Sequence, residues 1–301
     1  MFEHNFAIFC KTYSRDFLRV KRLLKSIEQF NQDQIPVYIS TPLAEKKLFE
    51  EVVGPSKAIW LADEDIIYAN PRVTRGVHEG HSGYLIQAIV RPEFWRLGLA
   101  KNYLCIDSDS QFIKNFYLSD FLDHDGTPFT VLHQNKDLLS MAANRGKPKV
   151  IQNFHTECLK IKKIFNRNGP DYSYMPSPFI WSSDVWKSLD EQFLMPQNKT
   201  IWDVVSRDVV EYLWYGEALL AYQAIPLRPI EPLFRVYHYD WQYYALKRHG
   251  ENLEKVSSNY LGVIYQSNWE SEMDYGASNK SLPSRCLKSV KRFGRYLQSY
   301  L

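Results

Sequence analysis

Two aspartates one residue apart, Asp107 and Asp109, follow the apolar run Tyr103-Leu-Cys-Ile106. Such a run predicts a buried strand, and ligands bind at the carboxyl ends of strands in open α/β folds. Hard oxygen ligands at positions i and i+2 suit Mg²⁺ or Mn²⁺, which keep coordination positions open for substrate phosphates. Aspartates that end strands are also common as simple caps or turn starters. The tripeptide alone therefore leaves a metal site and a structural turn both open.

The elements that must position these aspartates alternate between strand and helix in the first hundred residues. Short apolar runs predict strands, and apolar positions that recur on one face predict helices. The second helix has a clear end, because Gly54-Pro55 follows it. This βαβαβ order favours a parallel sheet with crossover helices. The predicted strands cover residues 6–10, 36–41 and 58–62, and the predicted helices cover residues 18–30 and 43–53.

The rest of the chain continues the α/β pattern with less regular spacing. We expect a helix over residues 82–97 with a break at Arg91-Pro92, and a continuous helix over residues 204–222. Polar and basic residues between positions 134 and 153 predict a mobile loop over a site. No repeat or linker interrupts the pattern, so we predict one α/β domain with a mostly parallel central sheet, residues 1–270, and a tail, residues 271–301. Further strands are predicted over residues 129–133, 178–181 and 260–265.

The composition of the chain excludes several classes of protein. Its 301 residues are 45% hydrophobic and 24% charged, with a net charge of +3, which does not indicate general nucleic-acid binding. The aromatic share of 15% suits a carbohydrate or nucleotide site, although core packing accounts equally well for most single rings. The first residues predict no signal peptide, and no apolar run is long enough to cross a membrane. We therefore expect a cytoplasmic protein, whose four scattered cysteines form neither disulfide nor metal site.

The chain order resembles that of GT-A-fold nucleotide-sugar glycosyltransferases of bacterial polysaccharide and lipopolysaccharide biosynthesis. In those enzymes an aromatic-Arg-Leu helix precedes a strand that ends in D-x-D, as Phe94-Trp-Arg-Leu97 precedes Asp107-Ser-Asp109 here. The later Glu211-Tyr-Leu-Trp-Tyr-Gly216 is similar to an acidic-aromatic-Gly helix of the same enzymes. The resemblance covers residues 5 to about 240 and implies a GT-A-like, Rossmann-like domain. Cys105 and Ile106 depart from the pattern, and the sequence has no clear triplet for an inverting base.

The resemblance also implies a ligand set for the metal and the donor. Asp109 is expected to do most of the metal binding, Asp107 to reach the metal or the ribose, and Ser108 to contact the donor. A histidine late in the chain is implied as a third metal ligand, and His238 is the best candidate. His238 stands among aromatic residues, where a hydrogen-bonded structural histidine is the alternative. The implied donor is a nucleotide sugar, with UDP as the expected nucleotide.

Two further candidates follow from their positions near the end of the first predicted strand. Thr12 and Asp16 follow the first strand, where the resemblance places nucleoside contacts, although Asp16 can instead cap the helix after it.

Arg96 precedes the D-x-D by about ten residues, and its planar fork suits a diphosphate; a surface arginine is the alternative. An acceptor hydroxyl needs a general base, for which Glu211 is our first candidate and Glu217 the second. Either glutamate can instead be an exposed helix residue.

Two other functions remain open on the sequence alone. Phosphohydrolases of the haloacid-dehalogenase type also end a strand with D-x-D, but normally their first strand, and with Thr or Val where this chain has Gln111. A carbohydrate-binding protein that uses its aromatic residues without catalysis is the other alternative. The glycosyltransferase interpretation implies a glycan or a lipid-linked molecule as the acceptor.

The end of the chain carries six bases and no acid after Asp274. Apolar residues recur there at helical spacing after Pro283, which is a natural helix start. A basic amphipathic helix of this kind, over residues 283–301, predicts peripheral contact with the anionic inner face of the cytoplasmic membrane. A helix docked on its own domain is the alternative. The apolar positions are Leu287, Val290, Gly294, Leu297 and Leu301, and the flanking bases are Lys288, Lys291, Arg292 and Arg295.

Overall fold

The computed structural model describes residues 2–54, 56–206 and 209–265, together with seven residues between positions 283 and 297. The strands of the described part form three sheets. They are β1 (His4–Lys11), β2 (Val37–Thr41), β3 (Ile59–Ala62), β4 (Ala100–Cys105), β5 (Ser110–Phe112), β6 (Thr130–Val131), β7 (Phe179–Ser182), β8 (Pro229–Ile230), β9 (Phe234–Tyr237) and β10 (Gly262–Tyr265).

The α-helices account for most of the remaining described residues. They are α1 (Phe17–Phe30), α2 (Leu43–Val53), α3 (Asp63–Tyr68), α4 (Gly83–Glu93), α5 (Lys136–Asn144), α6 (Pro148–Ile164), α7 (Ser183–Leu189), α8 (Ile201–Val204), α9 (Glu211–Tyr222), α10 (Asp240–Arg248) and α11 (Leu253–Asn259). Short 3-10 turns cover Ser14–Asp16, Phe94–Leu97, Leu118–Asp120 and Met195–Gln197, and a π turn covers Asp190–Leu194.

The central sheet has five strands in the order β3-β2-β1-β4-β7. Its first four strands are parallel, because α1, α2 and the segment containing α3 and α4 each return the chain to the same end. The edge strand β7 runs antiparallel to β4, with Phe179 opposite Cys105. This confirms the predicted mixed α/β fold with a mostly parallel central sheet. The strand order reverses between β1 and β4, which is where doubly wound sheets form a crevice for ligands.

Both faces of the central sheet are covered, as its continuous apolar strands require. Alternate residues of β1 enter two separate apolar clusters: Ala7 and Phe9 enter one, and Phe6, Ile8 and Cys10 enter the other. Phe9 stacks on Phe94 with ring centroids 4.1 Å apart. The core therefore fixes the register of β1, and with it the position of the side chains at its carboxyl end.

A smaller sheet, in the order β5-β10-β9, continues from the end of β4. Strand β10 pairs antiparallel with β5 and parallel with β9, and Gly262 lies between Phe112 and Phe234. A side chain at position 262 would overlap the Phe234 ring, since a Cβ there lies 2.2 Å from a ring carbon. Close approach of the backbone to this ring is therefore the reason for glycine.

Several predicted elements differ from the observed ones. Residues 134–153, predicted as a loop, form α5 and the start of α6, which lie against each other. Leu138 and Ala142 of α5 and Cys158 and Ile161 of α6 are buried. The predicted helix over residues 204–222 begins only at Glu211, as α9, because Val204 is the last residue of the short helix α8 and Val205 is extended. Proline does not break α4, because Pro92 lies in its last turn, and the helix tightens to a 3-10 turn only at Phe94.

Other sequence predictions agree with the structure. Helix α2 ends at Val53 before Gly54, and the strand predicted over residues 178–181 is β7. Three of the four cysteines are buried and all four are unbridged. In the part of the chain that the structure describes, no helix is both long enough and apolar enough to span a bilayer.

Candidate functional site

The two aspartates of the D-x-D lie in the turn between β4 and β5. The Ile106 amide donates to the Phe9 carbonyl at 2.9 Å, so parallel pairing with β1 continues to the residue before the motif. The Ser110 amide then donates to the Asp107 carbonyl at 3.1 Å and closes the turn. Asp107 and Asp109 are both partly exposed. The motif therefore lies at the carboxyl edge of the central sheet, beside the end of β1, as the sequence predicts.

Asp107 is linked to helix α9 through a buried arginine. The Arg91 guanidinium contacts Asp107 Oδ1 with one nitrogen and Glu211 Oε1, at 3.1 Å, with another. Gln87, one turn earlier on α4, also donates to Asp107 Oδ1 at 3.1 Å. The side chains of Arg91 and Glu211 are only 8% and 4% exposed, against 23% for Asp107. The ion-pair network is thus buried at one end and reaches the open edge of the sheet at the other.

Glu211 is therefore a buried ion-pair partner and not an exposed helix residue. Burial raises the pKa of the Glu211 carboxyl, and the nearby Arg91 charge opposes that rise. The pair joins α4 to α9 near the D-x-D. Removal of either partner would leave the other charge buried without a partner, which is strongly destabilising.

Glu217, the second predicted base, has a separate set of partners. Its carboxylate accepts from Arg167 Nε at 2.5 Å and from Arg167 Nη2 at 2.7 Å, and it also accepts from the Tyr174 hydroxyl at 2.9 Å. The Glu217 side chain is 1% exposed. The two glutamates of α9 are thus not brought together, and Glu211 is the one connected to the D-x-D.

The sequence predicts that Arg96 reaches the D-x-D, but its partners in the structure lie elsewhere. Its guanidinium binds Glu93 Oε2 at 2.6 Å and Asp190 Oδ2 at 2.9 Å, and a second arginine, Arg72, also contacts Asp190. The physical reason is the path of the chain: α4 must run back to the start of β4, so Arg96 lies in the segment that leads into that strand. The arginine that reaches the motif is Arg91, more than a turn earlier on the helix.

The predicted nucleoside contacts at the end of β1 lie beside the D-x-D. Asp16 Oδ2 accepts from the Ser108 hydroxyl at 3.0 Å, and Asp16 also pairs with Arg19. Asp16 occupies the N-cap position of α1 but makes no side-chain cap hydrogen bond, so the capping alternative is wrong. The Thr12 amide donates to the Ser40 carbonyl at 2.9 Å, while the buried Thr12 hydroxyl has no hydrogen-bond partner among the described residues.

His238 follows β9 at the same end of the smaller sheet as the D-x-D. Val236 lies opposite Ile264, which lies opposite Ser110, so β9 is two strand spacings, roughly 10 Å, from the motif. Burial lowers the pKa of His238 to about 4, with His133 and Arg235 adding to the effect, so the imidazole is neutral at pH 7. Among the described residues, no three His, Cys, Asp or Glu side chains lie close enough together to hold a metal ion.

A cavity of about 290 Å³ lies between α6, the start of α9 and the segment before β7. Its wall includes Tyr212, the residue after Glu211, and also Tyr174 and His238. The Tyr212 ring stacks on Phe179, with ring centroids 5.5 Å apart. Since Phe179 pairs with Cys105 at the end of β4, the cavity opens near the same edge of the sheet as the D-x-D.

Comparison with known proteins places the chain in a family. Residues 7–268 match the family described as "Family of unknown function (DUF6492)". The chain belongs to this family. A comparison with curated proteins finds no match.

Solved structures show which fold this DUF6492 chain has. The WbbM bifunctional glycosyltransferase in its apo form matches 97% of the chain with a TM-score of 0.51 and 12% sequence identity. The match covers 52% of the WbbM chain, so this protein spans about half the length of that enzyme. Mouse xyloside xylosyltransferase 1, also in its apo form, matches 87% of the chain and is itself covered to 98%, with a TM-score of 0.44 and 8% identity. At such low identity the similarity to WbbM shows a shared fold and nothing more.

A second ion pair at the carboxyl edge of the DUF6492 chain has no counterpart in the sequence analysis. Lys11 Nζ lies 2.9 Å from Asp63 Oδ2, across β2, and both side chains are buried. Burial raises the pKa of Asp63, and Lys11 opposes the rise. The sequence does contain a hint of this pair, because Lys11 ends β1 and Asp63 directly follows β3, and both strands are apolar. It contains no comparable hint of the pair between Arg91 and Glu211, which are 120 positions apart in the chain.

Proposed function

We propose that the protein is a glycosyltransferase that moves a sugar from a nucleotide-sugar donor, with UDP as the expected nucleotide, to a glycan or lipid-linked acceptor. The observation that carries the proposal is the pair of partly exposed carboxylates, Asp107 and Asp109, at the carboxyl edge of a parallel sheet. The glycosyltransferase fold shared with WbbM supports it. Surface polysaccharide or lipopolysaccharide assembly is the expected setting.

The donor set at this edge fits a divalent cation of the Mg²⁺ or Mn²⁺ type. Asp107 and Asp109 supply hard carboxylate oxygens, and such ions bind through one or two carboxylates with substrate phosphates and water as their other ligands. A bound ion would neutralise the charge that develops on the leaving diphosphate. His238 stays a prediction as a further ligand: its neutral imidazole is the form that binds metals, but among the described residues it forms no cluster of three ligands with the two aspartates.

The protein's own groups have distinct tasks in this proposal. Arg91 holds the Asp107 carboxylate in place from the buried side, so that the rest of that carboxylate faces the open edge. In this proposal the nucleoside contacts Thr12, whose buried hydroxyl has no hydrogen-bond partner among the described residues, and Asp16, beside Ser108. Glu211 stays our candidate for the general base, since Tyr212 and Leu213, which follow it, line the cavity where an acceptor can enter.

Calorimetry with UDP-, GDP-, CMP- and dTDP-sugars, with and without Mn²⁺, tests the proposal. We expect one donor to bind only with the metal, and Asp109→Asn to remove that binding while the thermal unfolding midpoint stays within a few degrees of wild type. Asp65→Asn is the matched control, because Asp65 is an exposed aspartate in the first turn of α3, at the same edge of the sheet.

Each other outcome would point to a different function. Sugar binding without any nucleotide or metal dependence would support the non-catalytic carbohydrate-binding protein. Release of inorganic phosphate from phosphate esters, lost in Asp107→Asn, would support the phosphohydrolase. Undiminished transfer in EDTA would exclude the metal role.

The proposal extends to a membrane-bound acceptor through the end of the chain. The described positions there are helical, and Leu287, Val290, Phe293 and Leu297 are between 50% and 71% exposed. The flanking bases and Leu301 lie outside the described residues. Exposed apolar side chains beside bases suit peripheral contact with anionic lipid, each base adding about 1 kcal/mol near the surface.

Liposome sedimentation tests this part of the proposal. The full chain should co-sediment with vesicles that contain anionic lipid and be released by salt, whereas a chain truncated after Ser281 should stay in solution. Equal co-sedimentation of the truncated chain would remove the tail as the membrane contact.

A further inference from the structure

The cavity beside α9 is joined to the D-x-D by direct contacts. Asp107 contacts Arg91, Arg91 contacts Glu211, and the next two residues of α9, Tyr212 and Leu213, form part of the cavity wall. A ligand in this cavity is therefore held by the same helix that supports the D-x-D.

The wall of the cavity is rich in aromatic rings. Phe154, Tyr172, Tyr174, Tyr212 and Tyr239 all line it, and leucine, valine and methionine side chains complete its apolar surface. Flat apolar rings of this kind pack against the C–H faces of sugar rings. Tyrosine adds a hydroxyl that can bond to a polar ligand at the edge of the ring.

Polar groups converge on the same space. Asn135, Asn153, Glu157 and Ser173 also line the cavity, so residues with amide, carboxylate and hydroxyl groups border it from three segments of the chain. Asn153 and Glu157 are four residues apart on α6, which places them on one face of that helix. Such groups donate to and accept from hydroxyl groups, which is the combination that a sugar ring requires.

The charge of the wall argues against a phosphate-bearing ligand. Among the described residues that line the cavity there is no lysine or arginine, and Glu157 adds a carboxylate. A diphosphate needs cationic donors or a metal at close range. The volume of about 290 Å³ is at the lower end of the range for ligand pockets, about 300–1000 Å³, so the cavity suits a small ligand.

We infer that this cavity binds an uncharged sugar ring, the terminal unit of a glycan acceptor, next to the donor site. The inference rests on the proposed function and adds to it the chemical class of the acceptor end and the surface that holds it. The diphosphate of the donor lies at the D-x-D in this arrangement, and the acceptor ring lies on the far side of Glu211.

Two neighbouring positions of α6 give a matched pair of variants. Asn153 lines the cavity and Gln152 does not, although both side chains are exposed, so a tryptophan is tolerated by the fold at either position. Asn153→Trp places a large ring in the cavity. Gln152→Trp places the same ring about 100° away around the helix. Glu157→Ala is a second cavity variant that removes a polar group without adding volume.

The experiment is saturation-transfer NMR with methyl glycosides of glucose, galactose, mannose and N-acetylglucosamine as probes. At least one glycoside should receive saturation from the wild type and from Gln152→Trp. The signal should fall at least tenfold with Asn153→Trp and severalfold with Glu157→Ala. Absence of a signal from every glycoside with the wild type, or an unchanged signal with Asn153→Trp, would overturn the inference.

A parallel donor titration separates this inference from the proposed function. Nucleotide-sugar binding in the presence of Mn²⁺ should be unchanged in Asn153→Trp, since that side chain is not at the D-x-D. Glycoside binding at the cavity without any nucleotide-sugar binding would defeat the proposed transfer and leave a sugar-binding cavity. Donor binding without glycoside binding would defeat only the cavity assignment.

Discussion

Two arginine–carboxylate networks lie on either side of β4, and only one of them has a carboxylate that is open to solvent. In the segment before the strand, Arg96 and Arg72 share Asp190, and Arg96 also binds Glu93. Both carboxylates there are almost completely buried, with side chains 3% and 7% exposed. After the strand, Arg91 joins buried Glu211 to Asp107, which is 23% exposed. A buried, paired carboxylate is therefore not in itself evidence of a ligand site. A partly exposed carboxylate at the carboxyl edge of the sheet is what distinguishes the candidate site.

The same contrast extends to hydroxyl groups. At the carboxyl edge the hydroxyls of Thr12 and Thr41 are buried without a hydrogen-bond partner among the described residues. In the network before β4, the Arg72 guanidinium donates both to Asp190 and to the Lys199 carbonyl, at 2.6 Å in the second case. The two buried threonine hydroxyls at the carboxyl edge thus retain hydrogen-bonding capacity for a ligand.

The largest expected effect comes from removal of the arginine that spans the open network. Arg91→Met should lower the free energy of unfolding by about 3–5 kcal/mol, because it leaves Glu211 buried without its ion-pair partner. Urea denaturation measures the change. The double variant Arg91→Met/Glu211→Leu should recover much of the loss, since two apolar side chains need no charge partner. A double variant as unstable as the single one would show that packing of Arg91, and not its charge, holds the helices together.

The two glutamates of α9 give the same comparison within a single helix. Glu211→Gln should reduce kcat about 100-fold and donor affinity far less, because the change keeps the shape of the side chain and removes its basicity. The variant should also be less stable than the wild type, because Arg91 loses a buried charge partner. Glu217→Gln should leave kcat within a few-fold of wild type, since Glu217 contacts Arg167 and Tyr174 away from the D-x-D. Steady-state kinetics on both variants decides the matter, and the reverse result would transfer the base to Glu217.

A substitution in the network before β4 should change the stability of the fold without changing donor binding. Asp190→Asn removes the charge that Arg72 and Arg96 share and should lower the free energy of unfolding by about 1–3 kcal/mol. Donor affinity, measured by calorimetry, should match that of the wild type. A loss of donor affinity in the folded variant would mean that the two networks are coupled through β4, and that the network before the strand also contributes to binding.

The sequence was sufficient where the signals are local. Gly54-Pro55 predicts the end of α2, and the apolar run before Asp107 predicts the strand that carries the motif. It was insufficient where the partner is distant. Arg91 precedes a proline and suggests a helix break, yet the residue that explains it, Glu211, lies on another helix.

The basic segment after position 134 shows a second limit of sequence reasoning. Its polar composition predicts a loop, but it forms α5 and the start of α6, two adjacent helices in which Leu138, Ala142 and Ile161 are buried. Amphipathic helices draw most of their stability from such tertiary contacts, which composition does not report. The cavity that α6 lines could not be predicted for the same reason.

The smallest expected effect tests the unpaired hydroxyl at the open edge. Thr12→Val keeps the shape of the side chain and removes its hydroxyl. Thr12 is 1% exposed, and its hydroxyl has no hydrogen-bond partner among the described residues. The free energy of unfolding should therefore change by less than about 1 kcal/mol, and in the stabilising direction, because a buried unsatisfied group is lost. Donor affinity should fall about fivefold, equivalent to about 1 kcal/mol, if the hydroxyl bonds to the nucleoside. Thr130→Val is the matched control, since the Thr130 hydroxyl is equally buried and partnerless but lies in β6, outside the central sheet. Equal donor affinity in both variants would show that Thr12 does not contact the donor, and that its buried hydroxyl only destabilises the folded state.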